Sequence, residues 1–261
     1  MKSQDNIMRI DWIDIAKGIA ILLVIIGHTV PYDSATRNVI YSFHMPLFFL
    51  LSGYTYRFSD TYAEFKVQAK KVFKRLIFPV FYVSLIILVF QIILYSHGEF
   101  SVIVKYIFES IKALYYSSGI PFKGHPSLGA LWFLISLFWA KIIIDIVHIN
   151  FKGKNEDYIY IALGLLGIAL GIKGRWLAQN LDGTLVSILY IYIGILWKKY
   201  NEWIDKRELI MFIIATLIWT YFLSVHMYLE MAVRSYPGIL LSSLEAICGT
   251  FLFAVFVKAL R

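Results

Sequence analysis

A single cysteine, Cys248, occurs in 261 residues, which excludes an internal disulfide and a zinc site built on several thiolates. Charge is also sparse: Asp, Glu, Lys and Arg make up 16% of the chain, where a soluble domain carries about a quarter. No segment alternates apolar and polar residues in the two-residue rhythm of a membrane β-barrel, so that architecture is excluded. Internal repeats, low-complexity tracts and nucleic-acid-binding motifs are missing as well. The formal net charge of +8 is therefore read as loops that meet anionic lipid, with no nucleic-acid partner. The first apolar segment is not read as a cleavable signal peptide. Its apolar run is too long, it contains Asp14 and Lys17, and no small-residue cleavage site follows.

What the chain has in abundance is apolar surface: 59% hydrophobic and 17% aromatic residues, with a mean hydropathy of +0.69. This surface is collected in blocks long enough to cross a hydrocarbon layer of about 30 Å. The reading is an all-α, polytopic transmembrane helical bundle forming one membrane domain over residues 1–261. Eight spans are expected, near Trp12–Val30, Tyr41–Tyr56, Leu76–Tyr95, Leu128–Val147, Tyr158–Ile172, Leu185–Trp197, Leu209–Val225 and Ile239–Val257. Residues Lys105 to Tyr116 read as an amphipathic interfacial helix. With the N-terminus inside, sixteen lysines and arginines fall in inner segments and seven in outer ones, which favours both termini in the cytoplasm. Trp12, Trp132, Trp139, Trp197 and Trp203 lie near span ends, where an interfacial aromatic belt is expected.

Two ionisable residues inside the first span stand out, because charge at bilayer depth is costly and points to function by default. Lys17 and His28 are eleven residues apart, which brings them to within about 20° of one helix face and about 16 Å apart along the axis. The expectation is that they line a common hollow, with the cation at one membrane surface and the imidazole towards the other. A structural reading of Lys17 is a snorkelling anchor paired with Asp14, one turn earlier. The functional reading is a cation that receives a phosphate from the cytoplasm while Asp14 holds its ammonium in place. His28 follows Gly27, which permits close approach of a backbone or ligand. His44, opening the second span, is expected at a comparable depth, so that two imidazoles face one outer vestibule and exchange protons near neutral pH. No further ligands accompany them, so a metal site is rejected.

Ser52 and Gly53 read as small residues that let helices pack closely; no Gly-x-Ser-x-Gly elbow makes Ser52 a nucleophile. Lys70, Lys71, Lys74 and Arg75 recur before Leu76-Ile-Phe-Pro79. Topology alone accounts for such charges, and a phosphate-binding patch is the alternative, with Arg75 best suited to fork two phosphate oxygens. Lys141 and Asp145 are expected to pair on one helix, and Glu245 needs a partner inside the last span. The outer loops offer His97, Glu99, His125, Asp182, Glu230 and Arg234. With Tyr115, Tyr116 and Trp176 these could hold a sugar or be ordinary solvated loops.

The segments Asp14-Ile-Ala-Lys17-Gly18 and Gly27-His28, then Phe43-His44-Met45-Pro46-Leu-Phe-Phe-Leu-Leu-Ser52-Gly53-Tyr54, resemble the acyltransferase-3 family of integral membrane acyltransferases. The likeness is closest to its fucose 4-O-acetylase-like branch. Lys74-Arg75-Leu-Ile-Phe-Pro79 and Leu131-Trp132-Phe133-Leu134 match further landmarks, and Thr184 to Gly194 matches more loosely. The resemblance implies transfer of an acyl group, commonly acetyl from cytoplasmic acetyl-CoA, to hydroxyls of cell-envelope or lipid-linked sugars across the membrane. The family signature is an arginine, ten residues and a histidine. Here Lys17 holds the arginine position, keeping the charge without the bidentate fork, and His28 holds the histidine position.

On this resemblance His28 is the catalytic base assisted by His44, while Lys17, Arg75 and Lys74 receive the CoA phosphates. Asp14, Ser52 and Gly53 support them, and no metal takes part. It also implies a multi-pass protein of the plasma membrane, of bacterial type, whose partners are lipid, acyl-CoA and a sugar acceptor. The family usually has about ten spans and a later motif that this sequence does not reach, so a truncated or naturally short relative is implied. The rival reading is a binding or transport module for a small substrate such as an amino acid, without chemistry.

Overall fold

The computed structural model describes residues 10–227 and 229–260; Lys2, Arg9 and Arg261, which enter the charge asymmetry, lie outside the described residues. Eleven α-helices are present among them. Helix α1 is Asp11–Thr29, α2 Ala35–Tyr41, α3 His44–Tyr54, α4 Tyr62–Tyr95, α5 Phe100–Tyr116 and α6 Trp132–Phe151. The remainder are α7 Glu156–Ile172, α8 Leu181–Lys199, α9 Asn201–Asp205, α10 Glu208–Ser224 and α11 Leu240–Ala259. Extended pairing among the described residues is limited to two isolated bridges, Phe122 with His125 and Glu230 with Ser235.

Five helical segments are long and apolar enough to cross a membrane: Asp11–Thr29, Tyr62–Tyr95, Gly129–Phe151, Ala178–Lys199 and Leu240–Ala259. α10 is apolar but shorter, at 17 residues. The segment expected as a second full span is instead broken into α2 and α3. Eleven residues of α3 rise only about 16 Å. A half-length helix is tolerated at membrane depth when protein surrounds it, and α3 is wrapped by α1, α8 and α11. Nearly all of its side chains are buried.

The tightest crossing in the molecule sets the position of α3. A Cβ on Gly53 would lie 1.9 Å from the Ile191 carbonyl oxygen, and one on Gly194 2.0 Å from that of Leu50. Only hydrogen at both positions allows α3 and α8 to approach this closely, a device common between helices in lipid.

The basic stretch between the second and third expected spans is helical. α4 starts at Tyr62, where the Thr61 hydroxyl accepts from the Glu64 N–H at 3.2 Å, and runs through Pro79 to Tyr95. Its 34 residues rise about 51 Å, so the basic half extends beyond a 30 Å layer. The loop between α3 and α4 is tied to the end of α6. Asp145 accepts from Ser59 Oγ at 2.9 Å and from Tyr56 Oη at 3.0 Å, and the ammonium of Lys152 binds Asp60. That contact holds the Asp60 carboxyl below the usual carboxylate range.

Three of the five tryptophans expected in an interfacial belt are in the core. Trp12 packs edge-on against Tyr54, with centroids 5.3 Å apart, and Trp197 packs against both Tyr54 and Phe251. Trp132 is buried in the cluster built by α6, α7 and α8. These span ends are enclosed by neighbouring helices, so the rings meet protein there. Trp203 is exposed.

Candidate active site

The buried ridge of α1 runs Trp12, Ile13, Ala16, Ala20 and Gly27. Lys17 follows Ala16 and His28 follows Gly27, so each sits about 100° round from the ridge on the same flank. Lys17 is half-buried and His28 exposed. The strip between them carries Ile21, exposed, and Val24, half-buried. The expected hollow joining the two is not among the described cavities. Those have volumes of about 360 Å³ and 90 Å³ and lie between α4, α5 and α6. Small residues on the ridge let α1 close onto α2, α3 and α11, leaving the flank that carries Lys17 and His28 at the edge of that contact.

At the Lys17 end, three helices contribute cations. Lys17 on α1, Arg75 on α4 and Lys141 on α6 lie within electrostatic reach of one another. Asp14 acts on Lys17 as the opposing charge. Lys74 is exposed on α4 and is not among the charges acting on Lys17 or Lys141. The expected pairing of Lys141 with Asp145 is no contact ion pair: Asp145 acts on Lys141 as an opposing charge, but its oxygens accept from Ser59 and Tyr56, and the Lys141 ammonium sits 4.7 Å over the Tyr56 ring. Lys141 thus joins the cation group, a placement that spacing along α6 does not reveal. Like charges held together in this way create a positive potential that attracts anions.

At the other end, Tyr41 organises the histidines. Its hydroxyl lies 3.4 Å from His28 Nδ1, and its ring packs on His44 with centroids 4.6 Å apart. His44 is buried where α2 gives way to α3, and its Nδ1 donates to the Ile40 carbonyl at 3.1 Å. The two imidazoles therefore do not share an open vestibule as expected. His28 faces outward, His44 is enclosed, and the tyrosine contacts both.

The Arg37 guanidinium also lies against this system, 3.8 Å from the Tyr41 ring centroid and 4.3 Å from that of Tyr32. Glu230 approaches it at 3.7 Å, carried on a turn closed by paired backbone hydrogen bonds between Glu230 and Ser235. Burial pushes the Glu230 carboxyl up, against the opposing pull of Arg37 and His28. Neither Tyr41 nor Arg37 is picked out by sequence reasoning, because an aromatic or arginine beside a span end has an ordinary topological explanation. The Arg37–Glu230 contact is made by the fold alone.

The other candidates separate by environment. Gly53 stands at the α3–α8 crossing, and Ser52 is buried beside it. None of the described hydrogen bonds joins Ser52 Oγ to an imidazole or carboxylate. Glu245 is fully buried, and neither of its carboxyl oxygens meets a hydrogen-bond partner among the described residues. Asp182 and Arg234, read from sequence as outer-loop polar groups, form a buried ion pair at 2.7 Å. The Arg234 guanidinium also lies 4.0 Å over Trp176, whose ring stacks on Phe122 at 3.9 Å. With both faces of Trp176 covered, that ring is part of the framework.

No curated protein and no solved structure matches this chain. The family model for an acyltransferase domain, that of acyltransferase-3, matches residues 10–260, which takes in both ends of α1, the cation group and the turn carrying Glu230. A multi-pass helical chain matched over this extent belongs to the acyltransferase-3 family and is a membrane acyltransferase.

Proposed function

We propose that this acyltransferase moves an acetyl group from cytoplasmic acetyl-CoA to a hydroxyl of an extracytoplasmic or lipid-linked sugar, in the manner of the fucose 4-O-acetylase-like branch. The observation that carries the reading is the polarity of α1: three cations from three helices gather at one end of its open flank, and His28 stands at the other. CoA phosphates enter from the cytoplasm to Lys17, Arg75 and Lys141, with Lys74 adding long-range attraction. The thioester reaches along the flank towards His28.

The chemistry needs one base and no covalent enzyme intermediate. With its Nδ1 hydrogen donated to the Tyr41 hydroxyl oxygen, His28 presents Nε2 as the acceptor. Nε2 removes the proton of the sugar hydroxyl as its oxygen attacks the thioester carbonyl; the C–S bond then breaks, and the imidazolium returns the proton to the CoA thiolate. His44 assists from within by packing against Tyr41 and keeping its orientation. In the full reading the chain is one membrane domain with both termini on the cytoplasmic side of a bacterial plasma membrane.

His28→Ala tests this. General-base catalysis contributes about 10²- to 10⁴-fold, so acetyl transfer to envelope glycan should fall by that factor while membrane insertion and binding of a CoA analogue persist. Wild-type levels of acetylated sugar in that variant would remove His28 from the mechanism. Failure of the purified wild-type chain to bind a CoA analogue would favour a transport module.

A further inference from the structure

The buried arginine beside His28 is only partly used. Arg37 is 9% exposed, and both faces of its guanidinium are covered by Tyr32 and Tyr41. Covered faces leave only the in-plane edges for polar contact. Along the Nε–Nη2 edge, Glu230 approaches Nη2 at 3.7 Å, too far for a hydrogen bond, and Nε has no partner among the described residues. That edge is the fork with which arginine holds the two oxygens of a carboxylate or phosphate. Leaving it unfilled costs the desolvation of a charged donor, a cost that a ligand oxyanion offsets.

The guanidinium is one tyrosine ring away from His28, whose Nδ1 meets the hydroxyl of that ring. Asn38 and His226, joined at 3.3 Å, bring further polar groups from the same helix and from the α10–α11 connection.

We infer that the acceptor of this enzyme is an anionic sugar, carrying a carboxylate or a phosphate on the residue whose hydroxyl is acylated, and that the unsatisfied edge of Arg37 holds that oxyanion. The inference rests on the reading of His28 as the acylation centre. Glu230 is the built-in competitor for Arg37. Its carboxylate, 3.7 Å from the guanidinium, is the group that an incoming oxyanion displaces.

The test is a binding titration on the purified full chain in lipid nanodiscs, without acyl donor, by saturation-transfer NMR. The probes are methyl α-glucuronide, glucose 6-phosphate and methyl α-glucoside. At least one anionic probe should bind about tenfold or more tighter than the neutral glucoside, a difference of about 1.4 kcal/mol. Whichever is tighter identifies a carboxylate or a phosphate as the natural group. Arg37→Lys, which keeps the charge and loses the fork, should bring the anionic probes to the level of the glucoside. Glu230→Gln should tighten the anionic probes, since the competitor is gone.

Equal binding of all three probes to the wild-type chain overturns the inference. So does a Glu230→Gln variant that weakens all three alike, which is what a purely structural Arg37–Glu230 pair produces. Because the titration needs no transfer, full acetylation by the His28→Ala variant would refute the mechanism while leaving the anion preference standing.

Discussion

Gly53→Ala places a methyl group where the structure has least room. The new carbon would sit 1.9 Å from the Ile191 carbonyl oxygen, 2.8 Å from its carbon and 3.0 Å from the Gly194 Cα. All three are backbone atoms of α8, so no side-chain rotation relieves the overlap. The helices must part by about 1.5 Å before the shortest contact becomes ordinary van der Waals packing. Overpacking of this kind costs about 1–3 kcal/mol, and more where backbone must move. At about 2–4 °C per kcal/mol for a chain of this size, the melting temperature should fall by about 2–12 °C.

Cys248, the single cysteine in the chain and buried on α11, supplies the assay. A thiol-reactive fluorophore reports its exposure as the detergent-solubilised protein is heated. Gly18→Ala is the matched control. A Cβ there meets nothing within 4 Å, so α1 should gain about 0.5–1 kcal/mol from replacing an interior glycine. Because α3 carries His44, the Gly53→Ala variant should also lose acetyl transfer. A Gly53→Ala chain that melts with the wild type would refute the account of α3 as a helix held by a backbone-to-backbone crossing.

Two further substitutions test the parts that position each end of the site. Asp182→Asn breaks an ion pair whose side chains are 0% and 1% exposed and weakens the acceptor of the Leu177 N–H. A loss of about 3–5 kcal/mol is expected, read by the same thiol assay, and a loss too small to measure would mean that water reaches the pair. Lys141→Met removes one of the three clustered cations while keeping its apolar stem. The Kd for a CoA analogue should rise about tenfold, equivalent to about 1.4 kcal/mol, and its salt dependence should weaken. An unchanged Kd removes Lys141 from the donor site.

Much of the chemistry at the first helix is legible because it depends on one element. The angle between Lys17 and His28 follows from eleven residues of regular helix, whatever surrounds it. The sites of Gly53 and Gly27 likewise mark close approach: Gly53 meets α8, and a Cβ on Gly27 would lie 2.9 Å from the Tyr41 ring. Hydropathy errs where protein replaces lipid as the surrounding medium. It reads the α2–α3 region as a full span because enclosed and lipid-facing residues are equally apolar. It does not reveal that the rings of Trp12, Trp132 and Trp197 meet protein, because depth along a span says nothing of what surrounds it. Charge spacing on a single helix pairs Lys141 with Asp145, and a loop from elsewhere in the chain claims the carboxylate first.

Composition and periodicity by themselves determined that this chain is a helical membrane protein whose first helix carries a cation and an imidazole on one flank, since both properties are local and repeat along a single axis. The tertiary structure alone decided which groups face that flank: Arg75 and Lys141 at one end, Tyr41, Arg37 and Glu230 at the other. These come from segments far apart in the chain, brought together by close glycine crossings and buried ion pairs, and no spacing along the sequence encodes a distance across a bundle.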